Sequence, residues 1–516
     1  MFKSHPKGLL AAALANMGER FGFYTMMAIL VLFLQAKFGL SGTNAGIIYS
    51  IFYFSIYILA FIGGLIADKT RNYKGTILTG IVLMAVGYFL IAIPSPTPTP
   101  NKVLFLTLTC IGLFVIAFGN GLFKGNLQAL VGQMYDNPEY SKMRDSGFSL
   151  FYMFINVGAI FAPLAAIGMR NWWLGKHGFQ YNADLPALCH AHLDGTINSG
   201  AAESLTKMST EVSGVPVTDM TAFANDYLNV FTTGFHYAFG VAIIAMAISL
   251  TIYLVNKKNF PNPKKVVKAG SPLDKDAIVM DIKEVKQRML ALFAVFGVAI
   301  FFWMSFHQNG LTLTFFAKEY TDLSIMKVSI GSFTLKGAEI FQSINPFFVV
   351  FLTPLVLALF GWLRRKGNEP STPKKIAIGM FIAAMGFLIM VIGSYIYNLP
   401  LHKAIDPNQG GIPLDESLKV TPFLLIATYF VLTIAELFIS PLGISFVSKV
   451  APPQYQGVMQ GGWLGATAIG NSLLFVGAVL YDSIPIWMTW TLFVTACTIS
   501  MLTMILMLKW LEKVAK

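Results

Sequence analysis

The feature that most restricts this chain is a succession of long apolar runs. A segment must hold about 20 mostly apolar residues to cross roughly 30 Å of hydrocarbon, and about twelve stretches reach that length. Six run from Leu9 to Lys37, Asn44 to Ala67, Thr76 to Ile93, Val103 to Gly132, Ser146 to Met169 and Gly234 to Val255. Six more run from Arg288 to Ala317, Phe341 to Leu363, Ala377 to Tyr397, Pro422 to Val447, Met459 to Tyr481 and Pro485 to Trp510. Only 12% of the 516 residues are charged, against about a quarter in soluble domains. The expected fold is an all-α integral membrane protein with the bilayer as its first partner.

A net charge of +12 would suggest nucleic acid in a soluble protein. Here the basic residues gather in short loops between apolar runs, so no nucleic-acid partner is implied. Lys69, Arg71 and Lys74, Lys142 and Arg144, Arg364 to Lys366 with Lys374 and Lys375, and Lys509 with Lys513 fall on one side. The positive-inside rule makes that side the cytoplasm. The charged linker 257–287, with Lys257, Lys258, Lys264, Lys265 and Lys268, joins it there, so both termini lie inside a multi-pass protein of the cell membrane. The start resembles a signal peptide, but its apolar stretch before Ala13-Leu14-Ala15 is too short, and the reading is an uncleaved first span. Cys110 and Cys497 sit in apolar segments and Cys189 alone in a polar loop, with no metal spacing.

The linker divides the chain into an N-terminal bundle (1–256) and a C-terminal bundle (288–516), with an outer insertion over 171–235 that reads equally as a loop or a small folded cap. Six plus six spans suit a fold of two repeated halves with a midplane site between them. Between spans two and three, Gly63-Gly64-Leu65-Ile66-Ala67-Asp68-Lys69-Thr70-Arg71 resembles the loop signature of the major facilitator superfamily. Its glycines would let helices approach closely, and Asp68 would cap or pair near a helix end. The corresponding Gly361-Trp362-Leu363-Arg364-Arg365-Lys366 keeps a glycine and the basic cluster.

Four charges stand where a membrane chain should have none: Glu19 and Arg20 in span one, Lys124 in span four and Glu436 in span ten. Each costs on the order of 3 kcal/mol at the bilayer centre even on lenient scales, so it must face a partner or a wet path. They sum to zero, which suits either two internal salt bridges that lock helices or a cavity for a zwitterion whose ends replace each partner. His307 in span seven is the one intramembrane group whose unperturbed pKa, about 6.5, allows protonation changes near neutral pH, and it reads equally as a hydrogen-bonded packing residue. Asn156 and Asn345 need buried partners, and Tyr57, Trp303 and Trp463 serve as packing, interface or pocket residues. Helical spacing puts Asn16, Arg20, Phe23 and Met27 on one face, expected to look into the cavity.

Taken together, Glu19-Arg20-Phe21 with Tyr24, Phe151-Tyr152-Met153-Phe154-Ile155-Asn156-Val157-Gly158, Phe302-Trp303 with Gln308, Asn345-Pro346 and Glu436-Leu437-Phe438-Ile439-Ser440-Pro441 resemble the proton-dependent oligopeptide transporters of the major facilitator superfamily. The resemblance covers nearly the whole chain. It implies that Arg20 and Lys124 hold a peptide's carboxylate, that Asn156, Asn345 and Glu436 receive its amino end, and that Tyr24, Tyr57, Trp303 and Trp463 line side-chain pockets. Arginine's fork and lysine's point charge fit that carboxylate. The departures are Asn16 for the family's first glutamate, Phe23 for a tyrosine, Met27 for arginine and His307 for an acid. Loss of the last two charges together implies an outer gate closed by apolar and hydrogen-bonding contact, with proton sensing moved to His307 or lost. The family's two extra helices between the halves are not expected in the charged linker.

The function expected is a secondary transporter importing di- and tripeptides by alternating access, as a monomer, with Glu19 beside Arg20 and Lys124 as the coupling acid and protons in place of any cofactor. A proton-independent carrier of another zwitterion or anion, and a transporter-like receptor, are the alternatives. An enzyme is not expected, because no nucleophile and base constellation or metal spacing occurs.

Overall fold

The computed structural model describes residues 5–70, 72–135, 139–140, 144–261, 282–330, 333–452 and 456–515. Arg71, Lys142, most of the linker, and the side chains of Asp68 and Arg144 lie outside the described residues, and with them the expectations placed there. Among the described residues, twelve stretches are long and apolar enough to cross a membrane. Without water in the bilayer, a spanning chain must close its backbone hydrogen bonds within each helix. The large apolar side chains left exposed on these helices, such as Phe351, Val255 and Leu506, then face lipid rather than water.

In the first half the spans are α1 (Gly8–Phe38), α2 (Gly42–Thr70), α3 (Tyr73–Ala92), α4 (Lys102–Met134), α5 (Arg144–Lys176) and α8 (Met220–Asn256). Close packing depends on glycine at a few crossings. A Cβ on Gly63 would run into the carbonyl of Gly121, whereas Gly64 has open space around it. Of the two adjacent glycines in the loop signature, only the first is therefore a helix contact.

The second half contains α9 (Ile282–Phe306), α10 (Thr312–Glu319), α11 (Ile344–Arg365), α12 (Thr372–Ile396), a short α13 (His402–Ile405), α14 (Phe423–Val450), α15 (Gln456–Ser472), α16 (Leu474–Ser483) and α17 (Ile486–Val514). Span seven is not the continuous helix its hydropathy suggests. It breaks into a 3-10 turn at His307–Gly310 between α9 and α10. Span eleven breaks opposite it, between α15 and α16, and Gln308 Nε2 donates to the carbonyl of Leu474 at 3.1 Å and to that of Met304 at 3.2 Å. Irregular backbone at membrane depth persists where protein groups satisfy it.

The insertion between α5 and α8 is folded. It carries α6 (Leu185–Leu193) and α7 (Ser199–Ser213), and its free length shrinks to 177–219 because α5 and α8 continue beyond their apolar cores. Asp219 caps α8 by accepting from the Ala222 amide at 2.9 Å; hydropathy marks the bilayer and not the helix end. Cys189, expected in a polar loop, is buried in α6. A two-stranded hairpin, β1 (Val328–Ile330) and β2 (Phe333–Leu335), and an isolated bridge between Thr321 and Val420 are the departures from an all-α fold among the described residues.

Candidate functional site

Between the halves lies a cavity of about 270 Å³. On α1, Arg20, Phe23, Tyr24 and Met27 line it; α2 adds Tyr49, Tyr53 and Tyr57, each one helical turn from the next. Lys124 and Gln128 stand on α4, and Tyr152 and Asn156 on α5. From the second half come Trp303, His307 and Asn309, then Gln342 and Asn345, Glu436 and Ser440 on α14, and Trp463 and Thr467 on α15. All nine residues expected to touch substrate therefore meet in one cavity, although they stand on eight helices and more than 440 positions separate the first from the last.

The four charges do not form two locking salt bridges. Glu19 and Arg20 pair side by side, Nε to Oε2 at 2.5 Å and Nη2 to Oε1 at 2.6 Å. Lys124 forms no ion pair among the described residues; its ammonium lies 4.8 Å from the centre of the Tyr57 ring. Glu436 likewise has no cationic partner, and its Oε2 accepts from Asn345 Nδ2 at 2.9 Å. One half thus offers the cavity a cation and the other half an anion. Asn345 also donates to Thr433 at 2.9 Å, whereas among the described residues Asn156 bonds only to its own helix, at the Tyr152 carbonyl (3.2 Å).

Two expectations on α1 are corrected. Asn16 is buried away from the cavity, because α8 closes over that turn of the helix: Ser249 Oγ donates to the Ala15 carbonyl at 2.6 Å. Glu19 is also out of the cavity, fully buried, and its second partner is Asn120 Nδ2 of α4 at 2.7 Å rather than Lys124. His307 lines the cavity between the rings of Trp303 (4.9 Å) and Tyr53 (4.8 Å), with Nδ1 2.5 Å from Asn471 Oδ1. That bond makes Nδ1 the donor and leaves Nε2 as the acceptor in the neutral ring.

The sequence matches the family profile described as POT family (PTR2) over residues 74–280 and 265–489. The chain belongs to the POT family. The peptide transporter YePEPT of Yersinia enterocolitica is 28% identical over 91% of this chain and 87% of its own length. Dipeptide and tripeptide permease A of Salmonella typhimurium is 27% identical over 90% of this chain and 82% of its own. A crystal structure of peptide transporter POT in complex with sulfate superposes with a TM-score of 0.71 at 21% identity, covering 100% of this chain and 96% of that one. The fold is that of the major facilitator superfamily, in two six-span bundles.

For a POT family member lacking the charges at Met27 and His307, the contacts at the insertion face are a correction. That face is held by ions as well as by apolar contact. Arg170 of α5 pairs with Glu339, in the turn before α11, and both side chains are fully buried. Asn171 secures the same seam through the carbonyls of Thr334 (2.7 Å) and Lys336 (2.9 Å). Above it Lys419 meets Asp184 of the insertion at 3.0 Å. Burial alone would lower the Lys419 ammonium, but the Asp184 charge and hydrogen bond outweigh it and raise it. Asp482, at the end of α16, accepts from the Thr43 amide (2.9 Å) and hydroxyl (2.6 Å) at the start of α2.

Sequence reasoning passed over Tyr49 and Tyr53, although the four-residue steps from Tyr49 to Tyr53 to Tyr57 were a readable signal. It also missed Asn120 and the Arg170–Glu339 pair. Nothing in a single sequence joins a charge at one span end to another 169 residues on.

Proposed function

We propose that this chain imports di- and tripeptides across the cell membrane by alternating access, with protons as the coupling ion. The observation that supports this best is the pair of opposite charges facing one cavity, Lys124 from the first half and Glu436 from the second, neither with an ion partner among the described residues. A peptide's carboxylate satisfies the lysine and its ammonium the glutamate, so the bound zwitterion draws the halves together. Because side chains in between are not read by charge, many sequences fit. The POT family assignment and the peptide transporter names of the relatives point the same way. One chain encloses the whole cavity, so a monomer suffices. Loop charge places the termini and the linker in the cytoplasm and the insertion outside. The relatives are transporters, and we read the chain as a carrier and not an enzyme.

The test is counterflow in proteoliposomes with dialanine, trialanine, tetraalanine and free alanine. Saturable exchange of the di- and tripeptide, and not of free alanine, is the expected result. No exchange of any peptide would sink the assignment. The same vesicles with an inward proton gradient then read the coupling.

A further inference from the structure

Asn16 removes one carboxylate from the coupling region, and Glu19 lies sealed behind Arg20, away from the cavity. A sealed acid can load and release a proton only if its neighbours satisfy it in both states, since a buried polar group without a partner is unstable. Ionised, Glu19 is fully supplied: Oε2 accepts from Arg20, and Oε1 accepts from Arg20 and from Asn120 Nδ2. The neutral acid is a donor and needs an acceptor. Asn120 holds one in reserve, for its Oδ1 is buried and without a partner among the described residues. An amide carries its donor and acceptor on the two arms of one rotor, and a half-turn exchanges them.

We infer that Asn120 is the positioning residue that lets Glu19 change protonation state: its amide donates to the carboxylate and, turned over, accepts from the carboxylic acid. The inference rests on the proton-symport reading above. Loading forms an O–H bond on Glu19 with a proton from the outer water, and unloading returns it to the inner water. While Glu19 is neutral its hold on Arg20 weakens, and the guanidinium, already at the cavity wall, is free for a substrate carboxylate. The groups electrostatically coupled to this site are Arg20 and Tyr24 on α1, Tyr88 on α3 and Lys124 on α4. Tyr88 has a buried hydroxyl that also lacks a partner. Asn120 itself touches neither cavity nor substrate.

The experiment compares dialanine counterflow without a pH gradient to dialanine accumulation under an inward proton gradient. It uses the wild type, Asn120→Leu, which keeps the shape and removes both arms, and Asn120→Ser, whose hydroxyl both donates and accepts. In Asn120→Leu, accumulation should drop about tenfold to a hundredfold, the effect of one lost hydrogen bond to a charged group, while counterflow stays within about threefold and its pH dependence flattens. Asn120→Ser should restore part of the accumulation. Asn120→Leu accumulating like the wild type would overturn the inference and leave symport standing. Equal loss of counterflow and accumulation in both variants would make Asn120 a packing residue and overturn it as well. A wild type that exchanges dialanine but ignores the gradient would sink the symport reading itself.

Discussion

At the scale of single residues, the cavity's design is a cation and an anion held apart for a ligand to join. Leaving Lys124 without an ion partner inside a membrane protein is costly, and the Tyr57 ring offsets only part of it, about 2 kcal/mol for a desolvated cation over an aromatic face. The site is therefore primed for a carboxylate. Lys124→Ala should weaken dialanine binding roughly tenfold to a hundredfold, the worth of a hydrogen bond to a charged group, and should leave binding of a C-terminally amidated dialanine nearly unchanged. Glu436→Gln should reverse the pattern, hurting the free peptide and sparing its N-acetylated form. Isothermal titration with the modified peptides checks both. Equal losses for free and end-blocked peptides would show that the two charges support the fold and do not read the termini.

Among the elements, α13 is the shortest α-helix and sits at a crowded electrostatic point of the insertion face. His402 places Nε2 3.0 Å from Glu319 Oε2 at the end of α10 and Nδ1 3.0 Å from Asp482 Oδ1 at the end of α16. The Asp482 contact is out of line for a hydrogen bond, so charge rather than alignment joins the pair. Burial alone would lower this imidazole, but Glu319 above all, with Asp482 and Asp406, outweighs it and holds it up at about 10. A folded-state value above the ordinary one of about 6.5 means that the protonated ring stabilises the fold. That contribution is complete below about pH 6.5, the unperturbed value, and declines as the pH rises; it is lost on passing the folded value of about 10. The melting temperature of the wild type should accordingly fall more steeply than that of His402→Gln between neutral pH and this value. Parallel curves in a thermal-shift series would refute it.

Over the whole molecule, the halves are fastened at the insertion face, and the Arg170–Glu339 pair is the deepest fastening. Removing one member of a buried pair strands the other at a typical cost of about 3–5 kcal/mol. This bond crosses from one half to the other, so the cost falls on the state closed at that face. Arg170→Gln or Glu339→Gln should favour the state open there, raising labelling of Gln342→Cys by an impermeant maleimide from the insertion side and slowing dialanine exchange. The exchanged pair Arg170→Glu with Glu339→Arg should return both toward the parent values. If the exchanged pair is no better than either single change, packing around Tyr181, which lies 4.0 Å under the guanidinium, is what holds the seam.

Much of this was legible in the chain itself. Hydropathy and loop charge determined twelve spans and their division into halves, because the bilayer imposes length and polarity on any segment that crosses it. Charges misplaced in apolar runs marked Arg20, Lys124 and Glu436, since membrane depth tolerates an ion only where it has work or a partner. What hydropathy could not see was direction within a buried face. Helical period put Asn16 with Arg20, but neighbouring helices cover one turn and leave the next open, and α8 covers Asn16. Pairing was equally hidden: Glu19 could have met Lys124, and the tertiary structure gave it Asn120 instead. The gate charges missing at Met27 and His307 looked like a loss until folding brought Arg170 to Glu339. One residue's environment determines whether it can be charged, but only the packing of distant helices decides which charge it meets.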